Sequence, residues 1–118
     1  TAAVVAIPSN AHYIASKHGV LGLTKALAVE FARYRINVNA ICPGSIDTPM
    51  IEGLVANCEE WISGLGNIAG PWNLFPHAEG EAMMAPEEIS QAVLWLSSDG
   101  AAFVTGATIA VDAGFTVK

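Results

Sequence analysis

Along the chain, apolar residues recur first at helical spacing and later in short unbroken runs. Ala2 to Ile7 are small and apolar, with Pro8 closing them, which suits the tail of a strand or a tight buried connection. Ser9 or Asn10 is then placed to cap a helix by accepting from an orphan backbone N–H. Val20, Leu23, Leu27 and Phe31 lie three or four residues apart and predict that this helix runs to about Arg33. Ala15, Gly19, Gly22 and Ala26 add small residues to it. A glycine inside a helix costs about 1 kcal/mol against alanine, and close approach of another helix is the physical reason to tolerate that cost. Ile36 to Cys42 alternates and then turns apolar, the pattern of a strand entering the core of a sheet. Pro43-Gly44 turns the chain sharply at its carboxyl end.

From Thr48 to Ala85 the pattern is irregular. A short helical stretch near Met50 to Cys58 gives way to the breakers Gly64, Gly66, Gly70, Pro71 and Pro76, with Trp61, Trp72 and Phe75 between them. Long segments of this kind are often lids or binding loops. The aromatics fit a lid over an apolar substrate, and equally a core or subunit contact. Pro86-Glu87-Glu88 then places proline and acids in a first helical turn. Ile89, Ala92, Val93 and Leu96 continue that helix to about Ser98, where Asp99-Gly100 stops it. Ala107 to Val111 reads as a buried strand, followed by the turn Asp112-Ala113-Gly114. The order helix, strand, irregular segment, helix, strand is that of an α/β fold with parallel strands and crossover helices.

Composition narrows the function classes. The 118 residues suffice for one small domain, and 53% hydrophobic content with a mean hydropathy of +0.45 calls for extensive burial, within this chain or against a partner. No apolar run approaches the ~20 residues of a membrane span and no basic-then-apolar leader opens the chain, so a soluble, cytoplasmic protein with no membrane partner is expected. The net charge is −6; of the 11 acids, only Glu30 precedes residue 44. No basic stripe with interleaved aromatics exists, which argues against nucleic acid. Cys42 and Cys58 show no disulfide framework and read as reduced thiols. His12, His18 and His77 have no ligand spacing, so no metal site is expected.

The candidate chemistry lies in Tyr13-Ile14-Ala15-Ser16-Lys17. On a helix, residues four apart rise from one face about a turn apart. Tyrosine, with a reference pKa near ~10, is a poor base at neutral pH, and a neighbouring cation favours its phenolate. Such a pair makes the proton donor and acceptor that alcohol and ketone chemistry requires. Taken alone, the spacing more often means a half-buried Tyr beside a solvated Lys.

Several ordered motifs weigh against that bland reading. Tyr13-x-x-x-Lys17, Asn37-Val38-Asn39-Ala40-Ile41-Cys42-Pro43-Gly44, Ile46-Asp47-Thr48-Pro49-Met50, the helix from Pro86-Glu87-Glu88-Ile89, and Val104-Thr105-Gly106 before Val111-Asp112-Ala113-Gly114 together resemble the short-chain dehydrogenase/reductase family over essentially the whole chain. The resemblance implies an α/β fold, the carboxyl-terminal half of a doubly wound, Rossmann-type parallel sheet. Residues 1–118 would form part of one NAD(P)-binding domain, with a lid-like substrate segment at about 48–85. It implies an oxidoreductase interconverting a secondary alcohol and a ketone with NAD or NADP. Tyr13 would be the acid/base, and Lys17 would lower the phenol pKa and bind the nicotinamide ribose. Pro43 and Gly44 would shape the nicotinamide loop, Ile46 would offer its backbone to the carboxamide, and Thr48 its hydroxyl to the same end. A homotetramer formed through the long helix and the terminal helix and strand is also implied. Ala11-His12-Tyr13 with Lys17-His18-Gly19-Val20 further resembles members acting on terpenoid-type alcohols such as carveol, which fits a bulky, apolar substrate.

The departures matter as much. The family's glycine-rich pyrophosphate turn, the residue that sorts NAD from NADP, and the relay asparagine are absent from these residues. The family's serine would fall immediately before Thr1. These 118 residues alone are therefore expected to be inactive. A non-catalytic fragment or interaction module is the alternative reading, and an extended-branch epimerase or dehydratase fits the Pro43 to Thr48 loop less well.

Overall fold

The computed structural model describes residues 1–6, 10–51, 53 and 83–117. Helix α1 (Ala11–Phe31) is followed by a 3₁₀ turn at Ala32–Tyr34, strand β1 (Ala40–Pro43), helix α2 (Pro86–Leu96), a 3₁₀ turn at Asp99–Ala101, strand β2 (Thr108–Val111) and a last 3₁₀ turn at Phe115–Val117. The strands pair in parallel, Ala40 beside Thr108 through Pro43 beside Val111, with α2 in the connection between them. The α/β order expected from the sequence is the one found. On α2, Ile89, Ala92 and Leu96 are half-buried as their spacing predicts, while Val93 is exposed. The short helix near Met50 begins as expected, residues 49–51 being helical. The rest of the irregular segment, including Cys58, Trp61, Trp72, Phe75 and His77, lies outside the described residues, as do Ile7, Pro8 and Ser9.

One open alternative is resolved and five local expectations are corrected. Residues 1–5 close a turn, with the Thr1 carbonyl accepting from the N–H groups of Val4 and Val5 at 2.8 and 3.1 Å, so of the two readings of the opening, strand tail or tight connection, the connection is the one found. Asn10 holds the N-cap position of α1 but makes no side-chain cap; its carbonyl accepts from Ile14 N–H at 2.9 Å. The helix stripe is displaced as well: Thr24 and Ala28 are buried, whereas Val20 and Leu23 are exposed. Apolar residues occupy more than one face of α1, so the Val20 spacing does not single out the inward one. Gly19 and Gly22 meet open space among the described residues, so no helix packs on them there. Strand β2 alternates exposed and half-buried positions in place of the burial its apolar run predicts, since among the described strands only β1 flanks it.

The fifth correction concerns residues 36–39, which alternate like a strand yet precede β1. Asn37 Nδ2 donates to the Ala101 and Ala102 carbonyls at 3.4 and 3.0 Å. Asn39 Nδ2 donates to Val104 O at 2.7 Å, and its Oδ1 accepts from Ala107 N–H at 3.0 Å. Val38 N–H donates to Thr105 Oγ1 at 3.1 Å, and Val38 O accepts from Gly106 N–H at 2.7 Å. Side chains thus carry most of the pairing where the backbone ladder has not yet begun. Gly106 has φ +70°, and a Cβ there would lie 3.4 Å from Ala28 Cβ. Glycine serves this corner because it tolerates the left-handed conformation and lets α1 approach the loop.

Candidate active site

Tyr13 and Lys17 stand in the first two turns of α1, one helical turn apart. The Lys17 Nζ sits 5.2 Å from the centroid of the Tyr13 ring, within the range at which a cation is attracted to an aromatic face. Tyr13 is 42% exposed, and Lys17 is exposed. Helical spacing alone brings the two together, as expected of residues four apart. Their polar neighbours on the helix are turned to its own backbone: Ser16 Oγ donates to the Tyr13 carbonyl at 2.7 Å, and His18 Nδ1 lies 3.0 Å from the Ile14 carbonyl.

The carboxyl end of β1 reaches the same neighbourhood through the first residue. Thr1 N donates to the Pro43 carbonyl at 2.7 Å. Thr1 also lies within electrostatic range of Lys17 and Asp112, so these residues gather near the carboxyl end of β1.

Beyond Pro43 the chain is held by backbone. Gly44 N–H donates to Val111 O at 2.9 Å, and a Cβ on Gly44 would meet Asp112 Cα at 2.9 Å; no larger residue fits without a shift. Ile46 forms a parallel bridge with Met84, made by Asp47 N–H to Met84 O and Met84 N–H to Ser45 O, both at 2.9 Å. Those bonds use the groups flanking Ile46. Among the described residues nothing accepts from Ile46 N–H, while its carbonyl accepts from Thr48 Oγ1 at 3.4 Å. Thr48 also precedes the helical residues 49–51, with its carbonyl accepting from Ile51 N–H at 2.9 Å.

The sequence marks Asp112 only as part of a turn, and the structure gives it more. It is 6% exposed. One carboxylate oxygen accepts from Gly114 N–H at 3.0 Å, and the other from Thr116 N–H at 2.9 Å and Thr116 Oγ1 at 2.6 Å. Burial pushes this carboxyl up, but the bonds from Thr116 and Gly114 outweigh it and hold it below the ordinary value. The available signal is an aspartate directly after a strand and two residues before a glycine, a spacing that favours side-chain-to-backbone turns. Among the described residues, no three His, Cys, Asp or Glu side chains gather as metal ligands.

A family model described as enoyl-(acyl carrier protein) reductase matches residues 1–116. A short chain dehydrogenase/reductase of Aspergillus oryzae, astE, is 46% identical over 105 residues, covering 89% of this chain and 37% of its own. Among solved structures, a short chain dehydrogenase from Mycobacterium paratuberculosis bound to NAD superposes with a TM-score of 0.86 at 34% identity, covering 99% of this chain and 42% of that one. Carveol dehydrogenase from Mycobacterium avium in complex with NAD gives 0.81 at 31% identity, covering 99% and 43%. The chain thus spans about two-fifths of the length of the proteins it matches.

Proposed function

This chain belongs to the short-chain dehydrogenase/reductase family, and from that premise we propose that it forms part of an NAD- or NADP-dependent oxidoreductase interconverting a secondary alcohol and a ketone. The observation that carries the reading is the Tyr13/Lys17 pair, 5.2 Å from ammonium to ring, supported by a loop at the carboxyl end of β1 whose Ile46 N–H has no acceptor among the described residues. That donor suits a carboxamide oxygen, and the Thr48 hydroxyl beside it suits the same group. The bound nicotinamide would supply or accept the hydride. Tyr13 donates its proton to the carbonyl oxygen in reduction and takes one from the alcohol in oxidation. Lys17 holds a positive charge beside the phenol and donates to the ribose hydroxyls. Pro43 and Gly44 set the path of the loop. Among the described residues no glycine-rich strand-turn-helix occurs, so the pyrophosphate is assigned elsewhere in the whole polypeptide, and these residues by themselves to an inactive state.

A bulky, apolar alcohol or carbonyl is the proposed substrate class, on the likeness to carveol dehydrogenase. A homotetramer is proposed on the exposed apolar side chains of α1, Val20, Leu23 and Val29. No helix among the described residues is long and apolar enough to cross a membrane, which agrees with the proposed cytoplasmic location. The test is Tyr13→Phe in the whole polypeptide, assayed for nicotinamide-dependent turnover of secondary alcohols. Turnover should fall by at least about a hundredfold; undiminished turnover refutes the assignment.

A further inference from the structure

The buried carboxylate of Asp112 takes no part in the chemistry above, yet it lies against the loop that does. Its three bonds all come from the segment that follows it, Gly114 and Thr116, and fold residues 112–117 into a closed turn. The backbone of that turn meets the Pro43-Gly44 corner: Asp112 Cα lies 2.9 Å from where a Gly44 Cβ would be, and Asp112 Cβ and O at 3.2 Å. Gly44 N–H is bonded to Val111, the residue before Asp112. The corner and the turn therefore cannot move independently.

We infer that Asp112 is a positioning residue for cofactor binding, its carboxylate closing the 112–117 turn into a wall that fixes the Gly44 corner and so the Ile46 N–H and Thr48 hydroxyl. This rests on the function proposed above. Asp112→Asn keeps an acceptor for Gly114 but gives Thr116 an amide that cannot accept from its N–H. Gly44→Ala attacks the same contact from the opposite side. In the whole polypeptide, Asp112→Asn should weaken the Kd for NADH or NADPH, whichever the wild type binds, by roughly tenfold. Turnover at saturating cofactor should stay within about threefold of wild type, because the reacting groups are untouched. Gly44→Ala should weaken binding too, and the double variant should lose no more than the worse single one, since both act through one contact. Should Asp112→Asn fail to fold, Thr116→Val, which removes only the hydroxyl bond, carries the test with a smaller shift in the same direction. Wild-type affinity in a folded Asp112→Asn or Thr116→Val, whatever its melting temperature, overturns the inference alone. A wild type that binds neither cofactor overturns the function beneath it as well.

Discussion

The two ends of β1 are both tied to the chain around β2, but they dispose of their polar groups in opposite ways. At the amino end, Asn37 and Asn39 bond the carbonyls of residues 101, 102 and 104 and the N–H of Ala107. Their polar capacity is turned inward. At the carboxyl end, Gly44, Ser45 and Asp47 each make a backbone bond, while Ile46 N–H has no acceptor among the described residues; on α1, the Tyr13 hydroxyl and the Lys17 ammonium likewise have no acceptor or partner carboxylate among them. In an open parallel sheet, ligands bind outside the carboxyl ends of the strands. One end of the strand spends its polar groups on the fold; the other leaves a donor without an acceptor among the described residues, as the proposed cofactor site requires.

Substitutions at the two ends should therefore differ in kind. The largest effect is expected from Lys17→Ala, which removes a cation serving both the phenol and the proposed cofactor: turnover should drop by about a hundredfold or more and cofactor affinity should fall with it. Lost turnover with unchanged affinity would contradict the double role. Asn39→Ala should behave in the opposite manner. It strips the Val104 carbonyl and Ala107 N–H of partners and should cost about 2 kcal/mol in urea unfolding, with cofactor affinity unchanged; a loss of affinity as large as that of stability would erase the distinction between the ends.

Asp112 supplies a pH test. Its folded carboxyl lies below the ordinary value, so its contribution is fully present above the unfolded pKa near ~3.9 and is lost as pH falls through the lower folded value. The stability difference between wild type and Asp112→Asn should accordingly be flat from neutral pH down to about 4 and shrink below it. A difference that grows on acidification would refute the assignment. The smallest effect is expected at Ala113, a non-glycine residue with φ 49°. Ala113→Gly should relieve this strain and gain up to about 1 kcal/mol in the same unfolding measurement, the left-handed cost less the added unfolded-state entropy.

Much of this architecture is legible in the sequence. Periodicity locates α1 and α2, the apolar runs locate β1 and β2, and a four-residue spacing puts Tyr13 beside Lys17. The failures have physical causes. Asn37 and Asn39 alternate with apolar residues as in a strand, but their amides compete for the carbonyls that a backbone ladder would use. The inward stripe of α1 is hard to place because the helix is apolar on several sides and its buried members, Thr24 and Ala28, are small. The role of Asp112 depends on the proximity of Gly44, far earlier in the chain, and sequence spacing does not report that contact.

The most direct measurement is a titration of the whole polypeptide with NADH and NADPH, followed by nicotinamide fluorescence, for wild type, Tyr13→Phe and Lys17→Ala. Saturable binding of at least one cofactor, retained in Tyr13→Phe and weakened in Lys17→Ala, is the predicted result. Absence of binding to the wild type, or equal affinity in all three, would contradict the assignment of this sheet edge to a nicotinamide cofactor.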